Sequence, residues 1–183
     1  LVDFEKKYDE NVKVVSLTQV SNVTWQIFDL KCVKKLLRDD TLFIVDASQS
    51  VPHFKVDVQE IWADFVFFTA HKVMADSWIG VIWWKKELLE KFEPVFCWWW
   101  AINEVKENNY KSWALPFKFE PWTPNMTWAV SLLRALEYIE NIWGYNKLEE
   151  VENDLIKYAL DKFNKLEKIN LIWSKNLENR VWV

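Results

Sequence analysis

The stretch Leu42-Phe-Ile-Val-Asp-Ala-Ser-Gln49 decides how this chain is read. Four apolar residues, Leu42 to Val45, form a short strand that runs directly into Asp46. That places an acid at the carboxyl edge of a sheet, where open α/β folds bind their ligands. Upstream, Val12 to Thr18 reads as a second, buried strand. Between the two, Asp29 opens a helix as its N-cap, with Leu30, Val33, Leu36 and Leu37 on one face. Downstream, Asp64 to Phe68 is another strand, followed at once by Thr69, His71 and Lys72, and Ile79 to Ile82 returns as a strand before a helix over Lys85 to Phe92. Short β-rich runs alternating with helix-period segments predict an α/β layer architecture, with a mostly parallel sheet flanked by helices.

Periodicity fades between Glu93 and Trp122. Pro94, Pro116, Pro121 and, just beyond, Pro124 break the pattern, which marks a long functional or interface excursion. Thr127 to Ile142 is then a helix apolar on most of its surface, expected to be buried. Leu148, Val151, Leu155, Ala159, Phe163 and Leu166 form the single stripe of an amphipathic helix. Trp143-Gly144, between these helices, reads as a hinge and as the boundary dividing residues 1–143 from 144–183.

Composition singles out one residue type. The 183 residues hold 14 Trp and 2 Gly, where average usage of about 7 % would give roughly 13 glycines. The two counts together come close to that figure, and the Trp stand at turn and loop positions. A stop codon reassigned to Gly in the source, but translated as Trp, yields this pattern. An L-residue forced into a left-handed conformation costs on the order of 1–2 kcal/mol and overpacking about 1–3. A dozen such sites would consume the stability of a domain, about 5–15 kcal/mol. Glycine is therefore expected at most of Trp25, Trp62, Trp78, Trp84, Trp98, Trp99, Trp100, Trp122, Trp128, Trp143, Trp173 and Trp182. Trp83, directly after an apolar run, is the best genuine tryptophan. With glycines at Trp98-Trp99-Trp100, that segment becomes a mobile loop. The rival is a non-catalytic module whose tryptophans stack sugars, single-stranded nucleic acid or a membrane interface, which needs interleaved basic residues or spanning segments.

Neither is present in the sequence. The net charge is −4 and the pI near 5.3, with Lys and Arg interspersed among Glu and Asp, which argues against nucleic-acid and anionic-membrane partners. No run reaches the 18 or so apolar residues of a membrane span. No signal peptide or initiator Met is visible, so a fragment of a longer reading frame is expected. Cys32 and Cys97 have no metal-ligand or disulfide-framework spacing; both read as packing residues and as thiols of a cytoplasmic protein, and no metal is expected.

Three polar clusters at strand ends carry chemistry: Asp46-Ala-Ser-Gln49, Thr69-Ala-His71-Lys72 and Trp122-Thr123-Pro-Asn125. An acid, an amide, a hydroxyl, an imidazole and a lysine on one sheet edge suit a phosphorylated aromatic cofactor with a ring nitrogen. The lysine forms the Schiff base and the acid keeps that nitrogen protonated. Taken singly, each residue has a bland alternative, since most Lys are solvated and most Asp after a strand belong to turns. His53, next to Pro52, reads as a loop residue.

These clusters carry a family resemblance. Val20-Ser-Asn-Val-Thr-Trp25, Val45-Asp-Ala-Ser-Gln-Ser-Val-Pro-His53, Val56-Asp-Val-Gln-Glu-Ile-Trp-Ala-Asp64, Thr69-Ala-His-Lys72, Trp78-Ile-Gly-Val81 and Glu120-Pro-Trp-Thr-Pro-Asn125 occur in the order found in class V aminotransferase-like enzymes. The chain resembles most closely the SUF-type cysteine desulfurases, which use pyridoxal 5'-phosphate, and in nearly every stretch the family has Gly where this chain has Trp. The resemblance implies the aspartate-aminotransferase-like fold. Residues 1–143 would be the second half of the large cofactor domain, and 144–183 the beginning of the small α+β domain. It implies Lys72 as Schiff-base lysine and proton-transfer base, with Thr69 and His71 on the cofactor phosphate and Thr123 on the phosphate in the partner subunit. Asp46 would pair with the ring nitrogen, Gln49 with the ring hydroxyl oxygen, and Asn22 would lie near that oxygen or the substrate carboxylate. It further implies a homodimer that converts L-cysteine to L-alanine and passes sulfur, as a persulfide, to an iron–sulfur assembly partner. Ala75-Asp76-Ser77 departs from the family's Gly-Pro-Thr. An upstream phosphate-binding turn and stacking imidazole, and a downstream persulfide-forming cysteine and substrate-binding arginine, have no counterpart here; Cys32 and Cys97 do not match that cysteine. The alternatives within the family are a selenocysteine lyase or an aminotransferase.

Overall fold

The computed structural model describes residues 2–96, 98–168 and 179–181. Four strands form its main sheet: β1 (Val14–Thr18), β2 (Leu42–Asp46), β3 (Phe65–Thr69) and β4 (Gly80–Trp84), adjacent in that order. The first three are parallel, with Thr18 opposite Asp46 and Asp46 opposite Phe67. The return strand β4 is antiparallel to β3, and Gly80 faces Thr69.

Strand period two puts Phe43 and Val45 on one face of β2, both fully buried, against Leu30, Val33 and Leu37. Leu30 and Val33 lie on α2 (Leu30–Leu36), and Asp29 is its N-cap, accepting from the Cys32 amide at 3.0 Å. Leu36, expected on that face, is instead exposed, because the helix ends there and Leu37 turns inward in extended conformation. A buried carboxylate fastens the sheet across its strands. Asp64 accepts from the Phe43 amide at 2.8 Å and from Lys85 Nζ at 2.6 Å, joining the start of β2 to the end of β4.

Flanking helices are α1 (Val2–Lys7), α3 (Val58–Ile61), α4 (Lys86–Lys91), α5 (Met126–Ile142) and α6 (Gly144–Asn164). A second apolar cluster joins Leu132 and Ile139 of α5 to Ala70 and Val73. The expectation that α5 is buried on most of its surface fails. Leu132, Ala135 and Ile139 are covered, whereas Val130, Leu133, Tyr138 and Ile142 are exposed, since none of the described elements packs on that side. The α6 stripe is also rotated by about one position: Ile156 and Leu160 are buried, while Leu155, Phe163 and Leu166 face outward.

The proline-broken excursion contains a hairpin, β5 (Ile102–Val105) and β6 (Tyr110–Ser112). It also contains a 3-10 turn over Trp99–Ala101 where a loop was expected, with Ala101 fully buried. Cys97, Trp173 and Trp182, for which the sequence gives expectations, lie outside the described residues. No helix among the described residues is long and apolar enough to cross a membrane.

Candidate active site

Strands β2 and β3 deliver two of the three polar clusters to one edge; the third, Trp122 to Asn125, is not at a strand end but on the stretch leading into α5. β2 ends at Asp46, and backbone bonds from Gln19 N to the Asp46 carbonyl (2.9 Å) and from Ala47 N to the Phe67 carbonyl (2.8 Å) extend the ladder past both neighbours. Asp46 Oδ1 accepts from the Ser48 amide at 2.8 Å, an Asx turn that fixes the half-buried carboxylate and starts the turn bearing Gln49.

β3 leads from Thr69 into a 3-10 turn over Ala70–Val73. With three residues per turn, Ala70 and Val73 share a side. Both are buried in the second cluster, which leaves His71 exposed and Lys72 half-buried on the other side. Thr69 Oγ1 and His71 Nδ1 are 2.8 Å apart, a hydrogen bond that gathers hydroxyl and imidazole at the strand end. Lys72 Nζ has neither ion pair nor hydrogen bond with any of the described residues, and the residue lines a cavity of about 250 Å³ together with Pro52, Tyr138 and Ile139.

The loop after Lys72 keeps its anchorage despite the Ala75-Asp76-Ser77 departure. Ala75 N donates to the Ala70 carbonyl (3.2 Å), the Asp76 amide to Ser131 Oγ (3.1 Å), and Asn125 Nδ2 to the Trp78 carbonyl (3.0 Å). The structure thus brings Asp46, Thr69, His71 and Lys72 onto the ends of adjacent strands, with Gln49 in the turn that follows. Asn22 is exposed on a separate turn after β1. Thr123 is exposed on the stretch leading into α5 and shares no hydrogen bond with the other six among the described residues.

Two features escaped sequence reasoning. His53 is in a loop, as read, but it is buried, with Nδ1 at 2.7 Å from Glu152 Oε1 of α6. Arg180 is buried against the Asn22 turn. Partners 99 and 156 residues apart leave no local spacing signal. Cys32 is half-buried and donates through Sγ to Asp29 Oδ2 at 2.9 Å; that hydrogen bond to a carboxylate, followed by burial, pushes its thiol pKa up and disfavours the thiolate. Among the described residues no group of His, Cys, Asp and Glu is arranged to hold a metal ion.

A mostly parallel α/β sheet presenting an acid, a hydroxyl–imidazole pair and a lysine at the carboxyl ends of its parallel strands defines an α/β protein whose strand ends are the candidate ligand site. The family model of class-V aminotransferases matches residues 1–183, and the chain belongs to that family. It is 39 % identical over 166 residues to a probable cysteine desulfurase of Halalkalibacterium halodurans, covering 90 % of this chain and 41 % of that protein. With a probable cysteine desulfurase of Pyrococcus abyssi the identity is 37 % over 169 residues, covering 91 % and 42 % respectively. The apo structure of a cysteine desulfurase from Thermococcus onnurineus NA1 superposes with a TM-score of 0.85 at 32 % identity, over 92 % of this chain and 42 % of that one. The chain therefore spans about two fifths of the relatives it matches.

Proposed function

We propose that this chain is part of a cytoplasmic, homodimeric cysteine desulfurase that uses pyridoxal 5'-phosphate, converts L-cysteine to L-alanine and hands the sulfur on as a persulfide for iron–sulfur cluster assembly. Residues 1–143 belong to its cofactor domain and 144–183 open the small domain. The observation that carries the reading is Lys72, half-buried and without a carboxylate partner among the described residues, beside the Thr69–His71 hydrogen bond and one strand from Asp46.

The donor set fits the cofactor: a carboxylate for a ring nitrogen, a hydroxyl and an imidazole for a phosphate, an amide for a ring oxygen, an amine for an aldehyde. When bound, pyridoxal phosphate supplies a ring that stabilises negative charge at the substrate's α-carbon. Asp46 keeps the ring nitrogen protonated, and Gln49 hydrogen-bonds the ring hydroxyl oxygen. Thr69 and His71 hold the phosphate, with Thr123 reaching the phosphate in the partner subunit. Asn22 stands near the ring oxygen or the substrate carboxylate. Lys72 anchors the cofactor and moves the α-proton.

Sulfur transfer needs a thiolate that attacks the substrate sulfur while the electron pair of the C–S bond stays with carbon, which is then protonated. Cys32, held protonated by Asp29, does not fit that role, and we assign it to a cysteine outside these 183 residues. The full-length protein is expected to release alanine and sulfide from cysteine under reducing conditions, and the 183-residue chain to release none. Cysteine-dependent alanine release by the chain alone, lost in its Cys97→Ser form, would contradict the assignment. Alanine without sulfur transfer would favour another class V lyase.

A further inference from the structure

We propose that Arg180 is a positioning residue that holds the turn carrying Asn22. The proposal rests on the reading of Asn22 as a group facing cofactor or substrate. After β1 the chain folds back on itself. Val20 and Ile27 pair antiparallel, Ser21 N donates to the Gln26 carbonyl (2.9 Å) and Trp25 N to the Ser21 carbonyl (2.9 Å). Ser21 Oγ accepts from the Val23 (3.2 Å) and Thr24 (3.1 Å) amides, so Asn22 rides on a turn closed by polar bonds, with its own side chain exposed. Trp25 closes that turn at φ 61°, a left-handed conformation that costs an L-residue energy and favours glycine. Such a turn has little apolar packing of its own to keep it in place.

Residues 179–181 supply what the turn lacks. Gln26 and Arg180 form an antiparallel bridge, Ile27 N donates to the Asn179 carbonyl (2.8 Å) and Val181 N to the Trp25 carbonyl (3.0 Å). The Arg180 guanidinium donates to the Thr24 carbonyl at 3.2 Å from a position only 8 % exposed. A charged donor on a carbonyl, shielded from water, makes a stronger bond than a neutral one. The turn that presents Asn22 is thus gripped from outside by a segment far along the chain. The same segment lines a cleft of about 580 Å³ with His53 and Glu152, whose 2.7 Å pair ties α6 to the loop after β2. The placement of residues 179–181 and the placement of the Asn22 turn are therefore set by one set of bonds.

The test uses the full-length protein and reads hydrogen exchange at amides 21–27, in the cofactor-free and loaded forms, together with kinetics on cysteine. Arg180→Ala is expected to speed exchange across the turn about tenfold, while the amides of β2 are unchanged. It should raise KM about tenfold in the wild-type background and have little further effect in an Asn22→Ala background, because Arg180 acts on KM only by placing Asn22. Arg180→Lys, which keeps the charge and is the safer variant for folding, should recover part of both effects. Unaltered exchange at 21–27 would overturn the proposal, as would a KM penalty of the same size in the Asn22→Ala background. If Asn22→Ala alone leaves cofactor affinity and KM unchanged while Arg180→Ala still loosens the turn, the role given to Asn22 fails and the grip of Arg180 on the turn stands.

Discussion

Trp62 ends α3 in the left-handed conformation at φ 56° and is 54 % exposed; Trp25 shares that conformation at φ 61°. A large apolar side chain in solvent, on a backbone suited to glycine, satisfies neither burial nor conformation. Trp78, in the loop after Lys72, is 73 % exposed. Trp25 and Trp62 fit the compositional argument, but they are the only described tryptophans with a left-handed backbone. Trp84 lies in β4 and Trp128 in α5 rather than in turns, so the conformational cost applies at two positions and not a dozen. Peptide mass spectrometry of protein from the source organism should find Gly at Trp25, Trp62 and Trp78. Trp found at Trp78 and Trp122 would sink the idea. In recombinant full-length protein, Trp62→Gly should raise unfolding stability by roughly 1 kcal/mol. Asp29 offers a pH test. The Cys32 thiol and amide donate to its carboxylate and hold its pKa below the usual carboxylate range. A depressed native pKa stabilises the fold above the unfolded value and loses that stabilisation as pH falls through the native one. Asp29→Ala should therefore cost about 1 kcal/mol at neutral pH, and the deficit should shrink below about pH 4. Equal cost in urea denaturation at pH 7 and pH 3 would exclude the cap as its source.

The four strands of the main sheet were legible within two residues because each is a short, largely apolar run bounded by polar residues, and the ends of β2 and β3 carry the candidate site. Thr69-Ala-His-Lys72 shows its site potential in sequence because a buried Ala70/Val73 pair at 3-10 spacing turns the two residues between them outward. Helices were harder to read. Val130, Leu133, Tyr138 and Ile142 make α5 look buried, yet composition does not say which neighbours cover a face. His53 was unreadable as more than a loop residue, because its partner Glu152 lies on α6. That pair predicts a measurable link between elements. Glu152→Ala, leaving a buried imidazole without its partner, should destabilise the full-length protein by about 1–3 kcal/mol in urea denaturation. A change below about 0.5 kcal/mol would show that α6 is held by its other contacts, Ile156, Leu160 and the Tyr145 hydroxyl on the Val51 carbonyl, without help from this pair.

At the scale of the molecule, the chain belongs to the class-V aminotransferases and spans about two fifths of its cysteine desulfurase relatives. Its sheet ends in two open edges among the described residues, β1 and β4, and α5 carries an uncovered apolar side. Surfaces of this kind call for more chain or a second subunit. The functional account then turns on one atom, Lys72 Nζ. Borohydride reduction of the full-length protein loaded with pyridoxal phosphate, followed by peptide mass spectrometry, should find the reduced cofactor on the peptide containing Lys72. The Lys72→Ala protein should keep its fold and lose both the label and the visible absorbance of bound cofactor. Label on a different lysine, or unchanged absorbance in Lys72→Ala, would contradict the account.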